Sequence, residues 1–102
     1  MHRQVEEKCD QLIELCHRYR VRRLALFGSA LREDFNAQRS DLDFLVEFEP
    51  LPPGAYSNAY FGLLDALERL FARRIDLVEA GSVRNPYIRE QIESQQETVY
   101  AA

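Results

Sequence analysis

The sequence predicts an α/β (α+β) protein with a small mixed sheet of about four strands and helices packed mainly on one face. Three observations predict it. Helical periodicity occupies two stretches, residues 3 to about 19 and residues 57 to 72. Short strand-like runs stand between and after them, at residues 24–27, 41–48, 74–79 and 97–101. The connection from the second run to the third is strand, loop, helix, strand, which brings those two strands together as neighbours. A chain of 102 residues is read as one domain, residues 1–102. At that size a domain buries roughly 60–70% of the surface that its unfolded chain exposes, enough for one modest core.

In the first helix Val5, Cys9, Leu12, Ile13 and Cys16 recur at helical spacing, with Glu, Lys, Asp and Gln between them. Cys9 and Cys16 are seven residues apart, about 10 Å along a helix axis, too far for a disulfide. Both are read as small buried core residues, and His2 and His17, without acidic or cysteine partners at metal spacing, as surface histidines. The helix ends in a basic stretch, His17, Arg18 and Arg20, with Arg22 and Arg23 beyond. These cations complement a helix C-terminus; the other reading is a contact surface for a partner protein, an RNA or a nucleotide phosphate.

Leu24 to Phe27 is a near-continuous apolar run, as in a central strand covered on both faces. Gly28 then allows a sharp turn, and Ser29 to Glu33 begins a short helix whose N-terminus favours an anion. Alone, Gly28-Ser29 is an ordinary strand-to-helix turn with a serine cap; the carboxylates downstream change that reading. A polar loop, Asp34 to Ser40, with Phe35 as a possible anchor to the core, leads into the second strand, Asp41 to Phe48. Residues two apart on a strand share a side. Asp41 and Asp43 therefore project together, while Leu42, Phe44, Val46 and Phe48 face the core. Glu47 shares the aspartates' side but lies farther along, out of reach of a shared metal.

Pro50 to Gly54 forms a rigid loop that ends the strand. The second long helix carries Phe61, Leu64, Leu67 and Phe71, with Leu63 and Leu70, as its apolar stripe. Gly62 within it costs about 1 kcal/mol relative to alanine and marks a close approach to a neighbouring element. The third strand, Arg74 to Glu79, places Asp76 between Ile75 and Leu77, where a buried carboxylate is costly unless paired or metal-bound. The bland alternative is a salt bridge to Arg73, Arg74 or another arginine. Asn85-Pro86 reads as a helix start, with Asn85 as cap and helix from Tyr87 to about Ser94. Glu97 to Ala101 is a short closing strand or an extended tail.

Two carboxylates side by side on one strand repel unless a cation sits between them. The simplest reason to build this is a divalent metal, and a metal beside a turn that offers N–H groups and a hydroxyl to an anion suggests phosphoryl or nucleotidyl transfer. Gly28-Ser29, then Ser40-Asp41-Leu42-Asp43, then Arg74-Ile75-Asp76-Leu77-Val78 resemble the nucleotidyltransferase superfamily with the polymerase-beta-like catalytic fold, and the short length points to its minimal nucleotidyltransferase (MNT) branch. The resemblance covers roughly residues 21 to 101. It implies that Asp41, Asp43 and Asp76 are the catalytic, metal-binding carboxylates, holding two Mg²⁺ ions with ATP as substrate. It implies nucleotide binding by Gly28, Ser29, Arg32 and Ser40. It further implies a HEPN-domain toxin as partner, a ribonuclease that is inactivated by transfer of AMP to a tyrosine, so that this protein is the antitoxin. The alternatives kept open are an antitoxin that masks the toxin by contact alone, and nucleotidyl transfer to RNA or a small molecule.

Charge and composition bound the rest. Thirteen basic against 17 acidic residues give a net charge of −4, which argues against a general affinity for nucleic acid or an anionic membrane. No apolar run is long enough for a membrane span or a signal peptide, so the expected location is the cytoplasm. The chain is used up by the catalytic sheet and its helices, so a partner chain is expected to supply part of the acceptor recognition.

Overall fold

The computed structural model describes residues 3–27, 42–82, 85–87, 90 and 96–102. Gly28, Ser29, Arg32, Ser40 and Asp41 lie outside the described residues, as do the loop with Phe35 and most of the helix expected to follow Tyr87.

The single helix expected over residues 3–19 is two helices, α1 (Arg3–Glu7) and α2 (Cys9–Arg18). Lys8 stands between them at φ −111°, ψ 21°, off the helical basin. The break coincides with a tertiary contact that helical periodicity does not encode. Lys8 Nζ donates to the carbonyl of Leu70 at 2.6 Å, and Gln4 Nε2 to that of Phe71 at 2.9 Å. Both carbonyls belong to the last turn of α3 (Ala55–Phe71), where no intrahelical donor is left for them.

Among the described residues four strands form one mixed sheet: β1 (Val21–Phe27), β2 (Leu42–Phe48), β3 (Ile75–Glu79) and β4 (Glu97–Ala101), in the order β3-β2-β1-β4. β1 pairs antiparallel with β2 and β4, and β2 pairs parallel with β3 through the α3 crossover. The last segment is thus a strand rather than a tail. β1 begins three residues before the expected Leu24, because buried Val21 already pairs with Phe48. The register irregularity between Val21 and Arg23 admits two arginines at the start of the strand.

The core lies between one face of this sheet and the helices. Leu24 and Leu26 from β1, Leu42, Phe44 and Val46 from β2, and Ile75 and Leu77 from β3 meet Leu12, Cys16, Leu63, Leu67 and Phe71. The Phe44 and Phe71 rings pack 5.9 Å apart. Alternation on β2 is as expected: Leu42, Phe44, Val46 and Phe48 are all buried. Ala25, on the opposite side of β1, is buried too, which fits a central strand closed on both faces.

Two expectations about apolar residues need correction. Cys16 is fully buried, but Cys9 is only partly so, because it begins α2 just after the break. Phe61 does not belong to the buried stripe of α3 and is 63% exposed. The stripe runs through Leu63, Leu67 and Phe71, with Tyr60, Leu64 and Leu70 packed beside it; Phe61 is about 200° around the helix from Leu63.

Gly62 does mark a close approach. A Cβ there would lie 2.5 Å from Cε1 of Tyr19, the residue that caps the end of α2. Gly54, at φ +86°, turns the chain from the proline loop into α3. Asn85 caps as expected, its Oδ1 accepting from the Tyr87 N–H at 2.9 Å. No helix among the described residues is long and apolar enough to cross a membrane.

Candidate active site

The face of the sheet opposite α2 and α3 is built in rows. Leu26, Phe44 and Leu77 form one row on the core side. One residue along, Phe27, Asp43 and Asp76 form the next row, on the other side. Two residues farther on the same side stand Ala25, Leu45 and Val78. Asp43 and Asp76 are thus direct register partners across the parallel pair of β2 and β3. Neighbouring strands lie roughly 4.8 Å apart, so the two carboxylates start side by side, flanked by Phe27 and backed by an apolar row. Like charges placed opposite one another in a sheet are destabilising.

Asp43 is half-buried and Asp76 is exposed. The exposure corrects the expectation that Asp76 would sit in a buried run at a desolvation cost. Among the described residues β3 is an edge strand, and its apolar residues Ile75 and Leu77 point to the core while Asp76 turns to solvent. No ion pair of Asp76 with Arg73, Arg74 or another arginine is found among the described residues. Its charge acts instead on Tyr60, whose phenol is held above its ordinary value first by burial and then by Asp76.

Asp43 and Asp76 fit a hard divalent cation: they are anionic oxygen donors on adjacent strands, aimed to one side, with one of them open to solvent. Two carboxylates alone are not a closed cage, and no cluster of three metal-holding side chains is found among the described residues. Asp41, the third carboxylate that the sequence leads one to expect, lies outside them. Phe27, paired with Asp43, is bonded directly to Gly28.

The basic residues after α2 are not gathered at this row. Arg20 pairs with Glu49 at 3.8 Å and Arg22 with Glu47 at 3.5 Å, while Arg23 donates to Thr98 Oγ1 at 3.0 Å. Arg23 stands opposite Glu47, four residues along β2 from Asp43, roughly 13 Å away. A groove of about 420 Å³ between α2 and α3, with Glu14, Arg18, Asp65 and Arg69 on its rim, lies in the helix layer on the far side of the sheet.

One residue near the site was missed from sequence. Tyr60 reaches from α3 to β3, its hydroxyl donating to the Leu77 carbonyl at 2.5 Å. The signal was present: Tyr60, Leu63, Leu64, Leu67 and Phe71 follow helical spacing better than a stripe drawn through Phe61.

Comparison with known proteins agrees with this geometry. Residues 8–97 match the model of the nucleotidyltransferase domain family. A protein of Methanocaldococcus jannaschii, provisionally named a protein adenylyltransferase, is 40% identical over 79 residues, covering 78% of this chain and 76% of its own. The protein adenylyltransferase MntA of Thermococcus cleftensis is 36% identical over 72 residues, covering 71% of this chain and 69% of its own. A solved structure provisionally described as a minimal nucleotidyltransferase superposes with a TM-score of 0.74 at 31% identity, over 91% of this chain and 90% of that one. The fold is also that of a chain in a complex of a tri-AMPylated Shewanella oneidensis HEPN toxin with an MNT antitoxin, with a TM-score of 0.65 at 19% identity, covering 95% of this chain and 72% of that one. With residues 8–97 inside the family model and a paired-carboxylate row across β2 and β3, the chain belongs to the nucleotidyltransferase domain family.

Proposed function

We propose that this protein is a cytoplasmic antitoxin that transfers AMP from ATP to a tyrosine hydroxyl of a HEPN-domain toxin and thereby neutralises it. The observation that carries the reading is the register pairing of Asp43 with Asp76 on the face of the sheet opposite α2 and α3. Support for the acceptor comes from relatives named protein adenylyltransferases and from the similarly folded MNT antitoxin in complex with its HEPN toxin.

Asp43 and Asp76, with Asp41 two residues before Asp43, would hold Mg²⁺. When bound, Mg²⁺ neutralises charge on the triphosphate and on the oxygens being joined and released. The protein's own groups do the positioning. Asp43, with Asp41 two residues before it in the sequence, would serve the triphosphate side of the site. Gly28 and Ser29, immediately after β1, offer N–H groups and a hydroxyl to its phosphates, with Ser40 and Arg32 assisting. Asp76, the exposed member of the row, accepts the hydrogen bond of the incoming phenol and orients its oxygen toward the α-phosphorus. The phenol oxygen forms the new O–P bond, the bond between the α-phosphorus and the bridging oxygen breaks, and pyrophosphate leaves. The phenol proton passes to Asp76 and then to solvent.

Intact-mass spectrometry of the HEPN partner, after incubation with this protein, Mg²⁺ and ATP, tests the reading. A gain of one or more AMP units that disappears with Asp43→Asn is the expected result. A stable complex with unmodified toxin would instead identify an antitoxin that masks by contact. No complex and no modification would redirect the search to RNA or small-molecule acceptors.

A further inference from the structure

Among the described residues, β3 is held to the sheet on one side only, by β2. The Leu42 N–H donates to the Arg74 carbonyl at 3.2 Å. Backbone groups alternate direction along a strand. Residues 74, 76 and 78 therefore turn their polar groups toward β2, and residues 75, 77 and 79 turn theirs to the open edge. The Leu77 carbonyl on that edge is the acceptor of the Tyr60 hydroxyl. Tyr60 is itself steadied, packed edge-on against Phe61 with ring centroids 5.1 Å apart, and part of its surface joins the core. The contact falls one residue from Asp76, whose exposed side chain has no ion pair among the described residues.

We propose that Tyr60 is a positioning residue, whose hydroxyl fastens the open edge of β3 at Leu77 and so holds the Asp76 carboxylate opposite Asp43. The inference rests on the reading of these two aspartates as a metal-holding pair. A short edge strand is the element of a sheet most free to fray or slip, and a slip of one residue would carry Asp76 to the core face. β2 fixes the inner edge of β3; Tyr60 fixes the outer edge, from a helix anchored in the core.

The test is Tyr60→Phe in the full chain, which keeps the ring and removes only the hydroxyl. Hydrogen exchange at the Asp76 and Val78 amides should speed up about tenfold, while amides of β1 stay unchanged. Mn²⁺ binding, read by electron paramagnetic resonance, should weaken severalfold in the wild-type background and not at all further in an Asp76→Asn background, because residues acting through one another are not additive. The kcat for modification of the toxin should fall roughly tenfold with the KM for ATP little changed, as expected for a misplaced catalytic group. Unchanged exchange at Asp76 and Val78, or equal weakening of Mn²⁺ binding in both backgrounds, would overturn the role of Tyr60. A wild-type chain that neither binds Mn²⁺ nor modifies the toxin would overturn the metal reading itself, a failure visible before Tyr60 is altered.

Discussion

Asp43 and Asp76 stand opposite each other across a parallel strand pair, on the side of the sheet turned away from α2 and α3. In the absence of a cation this juxtaposition costs stability, of the order of 0.2–1 kcal/mol for like charges in direct register. Asp76→Asn should therefore raise the melting temperature of the metal-free protein by roughly 1–6 °C, given the usual few degrees per kcal/mol for a domain of this size. The same substitution should abolish toxin modification. Adding Mg²⁺ should raise the melting temperature of the wild type and leave that of the variant nearly unmoved, since only a ligand bound by the folded state stabilises it. Differential scanning fluorimetry with and without Mg²⁺ checks all but the activity. A variant that melts lower than wild type without metal would show that Asp76 is held by attraction rather than repulsion.

The Tyr19 ring fills the space that a side chain at Gly62 would need. Alanine at this helical position gains about 1 kcal/mol of intrinsic helix propensity, but its Cβ would lie 2.5 Å from ring carbon Cε1 and 3.2 Å from Cζ. The ring is stiff and partly buried against α3, so overpacking should win, and Gly62→Ala should be destabilising by about 1–2 kcal/mol net. Pairing it with Tyr19→Ser should recover the propensity gain relative to Tyr19→Ser alone. Urea denaturation of the four proteins in this cycle measures the coupling. A Gly62→Ala single variant more stable than wild type would mean that the ring moves aside at little cost.

Gly62 also shows how much of the molecule could be read from sequence. A glycine inside a strong helical pattern announces a close neighbour without naming it, because the partner lies 43 residues away along the chain. The aspartates were more legible. Alternation on β2 fixes the side on which Asp43 points, and a strand-loop-helix-strand connection brings β3 beside it. Edge position was not legible, since strand order is a property of the whole sheet; hence Asp76 was expected buried and is exposed. Sequence periodicity likewise missed the break at Lys8, which answers to carbonyls at the far end of α3, and it drew the α3 stripe through Phe61 rather than Tyr60. The phosphate-side residues Gly28, Ser29, Arg32 and Ser40, together with Asp41, lie outside the described residues, and their assignment stands on the motif alone.

Burial of Cys16 makes an alkaline limit to stability predictable. Its thiol is pushed up from 9.0 to about 12 by desolvation. The native state thus keeps the proton while the unfolded chain loses it, so stability is fully present below about pH 9 and is lost as pH rises toward 12. Between pH 8.5 and 10 the loss should be on the order of 1 kcal/mol. The Tyr56 phenol, raised to about 12 by burial and by its hydrogen bond to Glu79, stays protonated in the folded protein across this window. Urea unfolding as a function of pH should show the decline in wild type and a shallower one in Cys16→Ala, whatever that variant's absolute stability. Equal slopes would mean that Cys16 ionises in the native state as readily as in the unfolded chain.

The C-terminus of α3 is closed by two devices of opposite quality. Lys8 and Gln4 donate to the Leu70 and Phe71 carbonyls, which a helix end otherwise leaves to water. The cation of Lys8 also suits the negative end of the helix dipole. Lys8→Met, which keeps much of the stem and removes the charge and the donor, should cost about 1.5 kcal/mol, at the lower end for a hydrogen bond to a charged group. The residue that follows the helix, Ala72, is held at φ +53°, ψ 41°, the left-handed region. A Cβ in that conformation is strained, and glycine is the residue usually found there. Ala72→Gly should therefore stabilise the protein by about 1 kcal/mol, less the entropy that glycine adds to the unfolded chain. The two effects have opposite signs at adjacent points of one helix end. Denaturant midpoints of the single variants separate them: a neutral Lys8→Met would show that water replaces the ammonium at no cost, and a destabilised Ala72→Gly that the entropy glycine adds to the unfolded chain outweighs the strain it relieves.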